Sequence, residues 1–382
     1  MFKYLFFIIF IFESFQKSDV YYIKTITPSN MVKLFKLLNI TLNGNIGLKV
    51  HTGELGGKYF LHPDFLQEIY DYTKGTFIEC NTAYSGNRHT TELHKSLLNS
   101  HGWLSNNRRT IIMDENPSDD FELTIQNYLK IPKNIVGGKL KEFESCIVLS
   151  HFKGHSMGGF GGALKQLSIG FASQAGKTYI HSGGITSNWR EVWSKRASQF
   201  DFTTAMGDAA SSIVKYFRDK GGIAFINVMA NISKSCDCAG ASAPAPRIHD
   251  IGILASTDPV AIDRACYDLI SEDDSEGVND WLSSSKSLLG ENTIVAAEKM
   301  GIGTQEYNLI KVEEDNKDEK EEEKDEDNIT QIINGNNSSN NKDEKEEEED
   351  DDNITIIRNG DNSYLYINSI FLLVILFLFI GI

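Results

Sequence analysis

Short apolar runs alternate with polar, helix-spaced segments through the middle of the chain. Residues 46–51 (IGLKVH), 76–80 (TFIEC), 110–113, 121–125, 145–150 (SCIVLS), 222–232 (GIAFINVMANI) and 250–255 (DIGILA) predict strands. Residues 63–73 (PDFLQEIYDYT), 91–99, 204–217 and 259–270 predict helices. Pro63 suits a first helical turn, and Asp258 suits an N-cap before Pro259. The alternation implies an α/β class, with mostly parallel sheets, flanking helices and two lobes. In such folds sites gather at strand ends, where this chain places many of its polar residues.

Both ends break the pattern. Residues 1–12 (MFKYLFFIIFIF) carry one Lys and then only apolar side chains, too short for a membrane span and the right size for a signal-peptide core. A signal peptide is therefore expected over 1–18, followed by an N-terminal segment over 19–45 and the α/β domain over 46–312. The alternative for the first stretch is a buried strand or helix. Residues 370–382 are apolar or Gly and no charge follows them. A hydrophobic tail behind a polar stretch predicts a GPI-attachment signal over 359–382, with a C-terminal transmembrane helix as the alternative. The expected location is the secretory pathway and cell surface, with the membrane as a partner through this anchor.

Charge sharpens the division. The formal net charge is −16, and residues 313–352 alone hold 20 Asp/Glu against 5 Lys. The rest of the chain is close to neutral and lacks the Lys/Arg cluster of a nucleic-acid footprint, so nucleic acid is not an expected partner. The acidic stretch contains a repeat: KDEKEEEKDEDNITQIINGNN from Lys317 and KDEKEEEEDDDNITIIRNGDN from Lys342. Dense like charge without aromatic residues predicts a disordered stalk over 313–358. Sequons at Asn328, Asn336, Asn337 and Asn353 predict glycosylation there. Five Cys in so long a chain exclude a small disulfide scaffold.

The chemistry concentrates in 151–181, HFKGHSMGGFGGALKQLSIGFASQAGKTYIH. His151, Lys153, His155, Lys165, Lys177 and His181 surround a glycine-rich stretch. Gly158, Gly159, Gly161 and Gly162 lack side chains, so a ligand can approach the backbone, and a helix that follows can hold an anion. His supplies proton transfer near neutral pH or a metal nitrogen, and a desolvated Lys is a nucleophile or an anion contact. His51 with Glu54 forms another candidate site edge. Cys236 and Cys238 flank Asp237, and with Cys80 they suggest zinc, with His249 or Asp250 as a further ligand, or a disulfide.

The runs KVHTGELGGKYFLHPDF, ECNTAYSGNR, VLSHFKGHSMGGFGGALKQLSIGFASQAGK, NISKSCDC and HDIGILASTDPVAIDRACYDLI resemble the family named domain of unknown function 362, over residues 46–313. Its members are often labelled iron–sulfur centre proteins. The insert that carries their cluster cysteines corresponds here to residues without Cys, so no iron–sulfur cluster is expected. The pattern H-x3-G-x2-G-G-x2-K with a later His is also similar to lactate racemase-type enzymes. That resemblance implies His155 as acid/base, Lys165 as tether of a nickel-pincer nucleotide and His181 as nickel ligand. It also implies a second acid/base, His89 or His94, beside Arg88 as a partner for a substrate carboxylate. The expected function is acid/base or metal-assisted chemistry on a small organic acid, using nickel or zinc. The competing expectation is a surface protein that binds a metal or small-molecule ligand without turnover.

Overall fold

The structure is a computed structural model, and it describes residues 17–235 and 237–314. In chain order these form β1 (Ser18–Ile23), α1 (Pro28–Leu37), β2 (Ile46–Lys49), α2 (Gln67–Thr73), β3 (Thr76–Glu79), α3 (Thr91–Ser100), β4 (Thr110–Ile112), β5 (Phe121–Thr124), β6 (Lys133–Val136) and β7 (Ser145–His151). There follow β8 (Lys153–His155), β9 (Gly159–Gly161), α4 (Ala163–Lys165), α5 (Gln174–His181), α6 (Gln199–Arg218), β10 (Ile223–Met229), β11 (Gly252–Ser256), α7 (Pro259–Glu272), α8 (Val278–Ser287), α9 (Gly290–Lys299) and β12 (Tyr307–Lys311). One turn of π-helix, Gln166–Gly170, continues α4.

Eight strands make one sheet in the order β12-β1-β11-β10-β7-β2-β3-β4. β11 runs antiparallel to both neighbours and every other pairing is parallel. The fold is thus mixed α/β with a mostly parallel central sheet. β7 and β10 are buried along their whole length, which explains their continuous apolar runs. Alternate residues feed opposite faces. Val148, Phe225 and Leu254 pack with α6, α7 and α9, while Leu48, Ile147 and Ile226 pack with α1, α2 and α3. Helix starts follow local chemistry: Thr90 caps α3, Ser198 caps α6, and Asp258 caps α7 by accepting from Val260 N and Ala261 N.

Three expectations about organisation change. Residues 19–45 are not a separate segment, because β1 sits inside the sheet between β12 and β11. No second sheet of comparable size marks a second lobe among the described residues; β5-β6 and β8-β9 are two-stranded hairpins. The helix expected from Pro63 begins at Gln67, because Phe65 N and Leu66 N bond back to His62 O and Pro63 O in a tight turn. The stalk and anchor expected beyond residue 314 lie outside the described residues.

Candidate active site

β2 is followed in sequence by β3 and then β4 on one side, whereas β7 pairs with β2 on the other. The chain therefore reverses its direction of travel between β2 and β7. A crevice at the carboxyl end of such a pair is where parallel α/β sheets place ligands. β2 leads into His51, Thr52 and Glu54; β3 ends on Glu79; β7 and β8 supply His151, Lys153 and His155.

The floor of this crevice is a buried ion network. Lys49 Nζ lies 2.8 Å from Glu79 Oε1, with both side chains buried. Arg88 Nη1 reaches Glu79 Oε2 at 3.4 Å, while its Nε and Nη2 donate to Glu54 Oε1 at 3.1 and 2.7 Å. Glu79 also accepts from Thr52 N and Cys80 N. Burial opposes its charge, but Lys49 and Arg88 win and hold its carboxyl down at about 2. Arg88, expected to pair a substrate carboxylate, is thus already matched by two carboxylates of the chain. Lys49 and Glu79 were not singled out from sequence. The available signal was a charge inside each of two otherwise apolar strands, IGLKVH and TFIEC.

Above the floor stands the hairpin of β8 and β9. His155 Nδ1 accepts from Gly158 N at 2.9 Å and Met157 N at 3.2 Å. The neutral ring then carries its proton on Nε2. Burial, followed by Lys165 and Lys153, keeps its pKa well below the usual histidine value. The expected role as a proton-accepting base does not fit that tautomer, because Nδ1 is already engaged.

Lys165 closes α4 where the π-turn begins. Its stem packs over Gly161, with Cδ 3.5 Å from where a Cβ there would sit. No hydrogen bond or ion pair holds its amine among the described residues. Burial, then Lys153 and Arg88, push its pKa from 10.5 down to about 7. Its charge also depresses His51, His155 and His181, so it shares one electrostatic neighbourhood with all three. His181, at the end of α5, stacks on Phe202 with centroids 4.5 Å apart and leaves its buried Nδ1 without a hydrogen-bond partner. Burial and then Lys165 lower its pKa to about 3.

The other predicted residues fall elsewhere. His94 is fully buried behind the site, with Nδ1 3.1 Å from Asn81 Oδ1 and Nε2 3.3 Å from Thr52 Oγ1. Both its nitrogens serve packing, which removes it from proton transfer to a ligand. His89 contacts Gln174 and meets the Trp189 ring edge-on at 4.5 Å. Gly159 and Gly162 do not open space for a ligand. A Cβ on the first would come 2.6 Å from Gly290 Cα, and one on the second 2.5 Å from Asp263 Oδ1. Gly158 and Gly161 have ordinary clearance, about 3.5 Å. The anion at the start of α4 is the chain's own: Asp263 accepts from Ala163 N and Leu164 N. Cys80 is sealed in the core, where its thiol meets Phe171 O and burial raises its pKa. Cys236 and the side chain of Cys238 lie outside the described residues. His249 instead stands on the surface near Asp273 and Asp274.

Comparison with known proteins adds the family. No curated protein matches the chain. Among solved structures it is similar to a protein from Thermotoga maritima, at 13% identity and a TM-score of 0.38, covering 72% of this chain and 60% of that one. It is also similar to lactate racemase apoprotein from Thermoanaerobacterium thermosaccharolyticum, at 15% identity and a TM-score of 0.34, covering 63% of this chain and 57% of that one. The chain thus spans about 60% of the length of these two structures. The family model described as domain of unknown function (DUF362) matches residues 46–268, more than half of the sequence and all of the site described above. This chain belongs to the DUF362 family.

Proposed function

We propose that the chain binds a small organic acid at the carboxyl ends of β2, β3 and β7, and that Lys165 and His155 act on it as base and acid. The observation that carries this reading is the Lys165 amine, brought to about 7 beside three imidazoles and without an ion-pair partner among the described residues. An amine with that pKa is about half deprotonated near pH 7, so it can take a proton or attack a carbonyl carbon. His155 supports the reading as a neutral imidazole in the same neighbourhood, its Nδ1 accepting from Gly158 N and Met157 N. Lys49 and Arg88 are matched by Glu79 and Glu54, so the further charge of Lys165 favours an anionic ligand.

The residues also fit the nickel-pincer group that the lactate racemase-type pattern implies. Lys165 would tether it, and the unpartnered, buried Nδ1 of His181 would hold the metal. When bound, such a group supplies an electron-accepting centre at the substrate carbon. Lys165 would then serve as the tether and not as the base.

We further propose that the termini make this a secreted, glycosylated protein tethered to a membrane. The anchor expected over 359–382 lies outside the described residues, as does the leader expected over 1–18 except for its last two positions. A leader cut would fall before Ser18, because Ser18 already pairs in β1 and its hydroxyl donates to Asp258.

The test is to incubate the full-length secreted chain with 2-hydroxy and 2-oxo acids in D2O and follow them by NMR and chiral chromatography. Deuterium exchange or stereoinversion is expected, abolished in Lys165→Met and reduced by two orders of magnitude in His155→Gln. Binding without turnover would favour the ligand-binding alternative. A folded protein that neither binds nor converts any of these acids would overturn both.

A further inference from the structure

Large apolar side chains are spread unevenly over the surface. Ten are exposed among the described residues, and six of these belong to segments that meet at the first turns of α6: Tyr128, Leu129, Ile185, Trp193, Phe200 and Leu289. Ile185, Phe200 and Trp193 are 69%, 58% and 56% exposed. Three contacts draw the segments together. Lys130 Nζ pairs with Asp201 at 3.1 Å, which brings in Tyr128 and Leu129. Ala197 N bonds His181 O at 3.0 Å and closes the loop that carries Ile185 and Trp193. Gln199 Nε2 donates to Leu288 O at 2.7 Å, which places Leu289 beside Phe200. Single exposed apolar residues are ordinary, but a gathering of this kind marks an interaction surface.

The same loop adds Arg190, Lys195 and Arg196. Arg190 lies over the Trp189 ring at 4.8 Å, and Arg196 Nη2 reaches Gln199 Oε1 at 3.5 Å. No carboxylate pairs with any of the three among the described residues. Glu191 instead accepts from the Thr186 hydroxyl, and Asp201 is matched by Lys130. The face is therefore apolar, aromatic and cationic at once, on a domain that is otherwise close to neutral.

That combination narrows the partner. A second copy seated on the same face by two-fold symmetry would set three unmatched cations against three. The core of a protein interface is depleted in charge, whereas here Lys195 and Arg196 stand two and three positions from Trp193. A lipid surface accepts both kinds of group: aromatic rings at headgroup depth and Lys/Arg beside them on anionic headgroups. We infer that this face of the domain rests on an anionic lipid surface, with Ile185, Trp193 and Phe200 at the headgroup boundary and Arg190, Lys195 and Arg196 on the headgroup anions. This goes beyond the tether proposed above, because it concerns the folded domain and fixes which side meets the membrane. Trp193 stands 6.5 Å from His181, so the end of α5 faces the lipid.

The test mixes the full-length secreted chain with vesicles of phosphatidylcholine, or of phosphatidylcholine and phosphatidylserine, each with and without brominated acyl chains. Tryptophan emission reports contact at this face, since Trp103 and Trp281 are sealed in the core. Brominated anionic vesicles are expected to quench it. Quenching should be at least fivefold weaker on neutral vesicles, and equally weakened when Arg190→Gln, Lys195→Gln and Arg196→Gln are combined. It should be largely lost in Trp193→Tyr. A wild type that sediments with anionic vesicles while its emission stays unquenched would overturn this inference and leave the tether intact. Quenching of a chain whose mass shows no lipid anchor would keep this inference and remove the tether. Equal quenching on neutral vesicles would overturn the anionic assignment, and unchanged quenching in Trp193→Tyr would place the contact elsewhere and overturn it too. A dimer in analytical ultracentrifugation that dissociates in Phe200→Ser would give the face to a second copy instead. Should any variant fail to fold, the wild type alone decides, because no quenching on brominated anionic vesicles contradicts the lipid face.

Discussion

Asp263 Oδ1 lies 2.8 Å from the amide of Ala163, a residue 100 positions earlier in the chain, and its Oδ2 lies 2.9 Å from the amide of Leu164. Asn227 Nδ2 completes the set at 2.7 Å. This buried carboxylate fixes the start of the turn that ends on Lys165, so the position of the amine depends on a side chain from α7. Asp263→Ala strands three buried donors at once. A loss of about 3–5 kcal/mol is expected, with Asp263→Asn costing less because one acceptor survives. Urea unfolding of both variants checks the order.

The glycines of the hairpin divide into packing and non-packing positions. A Cβ at Gly154 would come 2.0 Å from the carbonyl oxygen of Lys234, a backbone atom that cannot swing away. Gly154→Ala is expected to destabilise by about 3 kcal/mol or more. Gly161→Ala meets only Lys165 Cδ and the Lys153 carbonyl at 3.5 and 4.0 Å. It should stay within about 1 kcal/mol of wild type, so any change in ligand affinity there reports on the site. Thermal melts of the two variants separate the cases.

Glu79 is the hub of the floor network. Glu79→Gln keeps the shape and removes the charge that Lys49 and Arg88 face at 2.8 and 3.4 Å. Breaking a buried pair from one side costs about 3–5 kcal/mol, because the remaining cations stay desolvated. The same variant should lower the Lys165 pKa further, since Glu79 is the carboxylate that opposes its depression. A smaller stability loss with an unchanged Lys165 titration would contradict this arrangement.

Acid should unfold the protein early. His94 and His181 are held at about 3 in the fold, against 6.5 for an ordinary histidine. Between those values the unfolded chain binds more protons, so stability rises with pH across the window and is lost as pH falls from about 6.5 toward 3. Each group contributes a slope of up to about 1.4 kcal/mol per pH unit. Glu79 acts in the same direction at lower pH: its stabilisation is present above the usual carboxyl value of 4.5 and is lost as pH falls through about 2. Asp120 and Asp263, raised to about 6 by burial, act in the opposite sense between about 3.8 and 6, so the test is a comparison: urea midpoints of His94→Asn should fall less than those of wild type from pH 6.5 to 3, whatever the variant's stability at pH 7.

Much of this was legible in the chain, for physical reasons. Fully buried strands such as Ser145–His151 and Ile223–Met229 announce themselves as apolar runs, and the α/β alternation follows. The segment holding His155, Lys165 and His181 stood out because glycines and basic groups are crowded there. The use of those glycines was misread, since composition cannot distinguish a gap left for a ligand from one filled by Gly290 or Asp263. β1 was hidden beside a leader-like stretch, and its place in the sheet depends on partners some 230 and 290 residues away. The ion network was invisible because Lys49, Glu79 and Arg88 meet only once strand order is known. His51 was visible as a strand-end histidine, but its contact with Arg88, 37 positions later, belongs to the folded chain.

The most direct test is the titration of Lys165 itself. Reductive 13C-methylation of the full-length protein gives each lysine a resolvable NMR signal, and Lys165→Met assigns the one that matters. The account predicts a midpoint near 7 for that signal while surface lysines titrate above 10. A Lys165 signal that titrates with the surface lysines would mean the amine is solvated or paired, and the proposed chemistry would have no base.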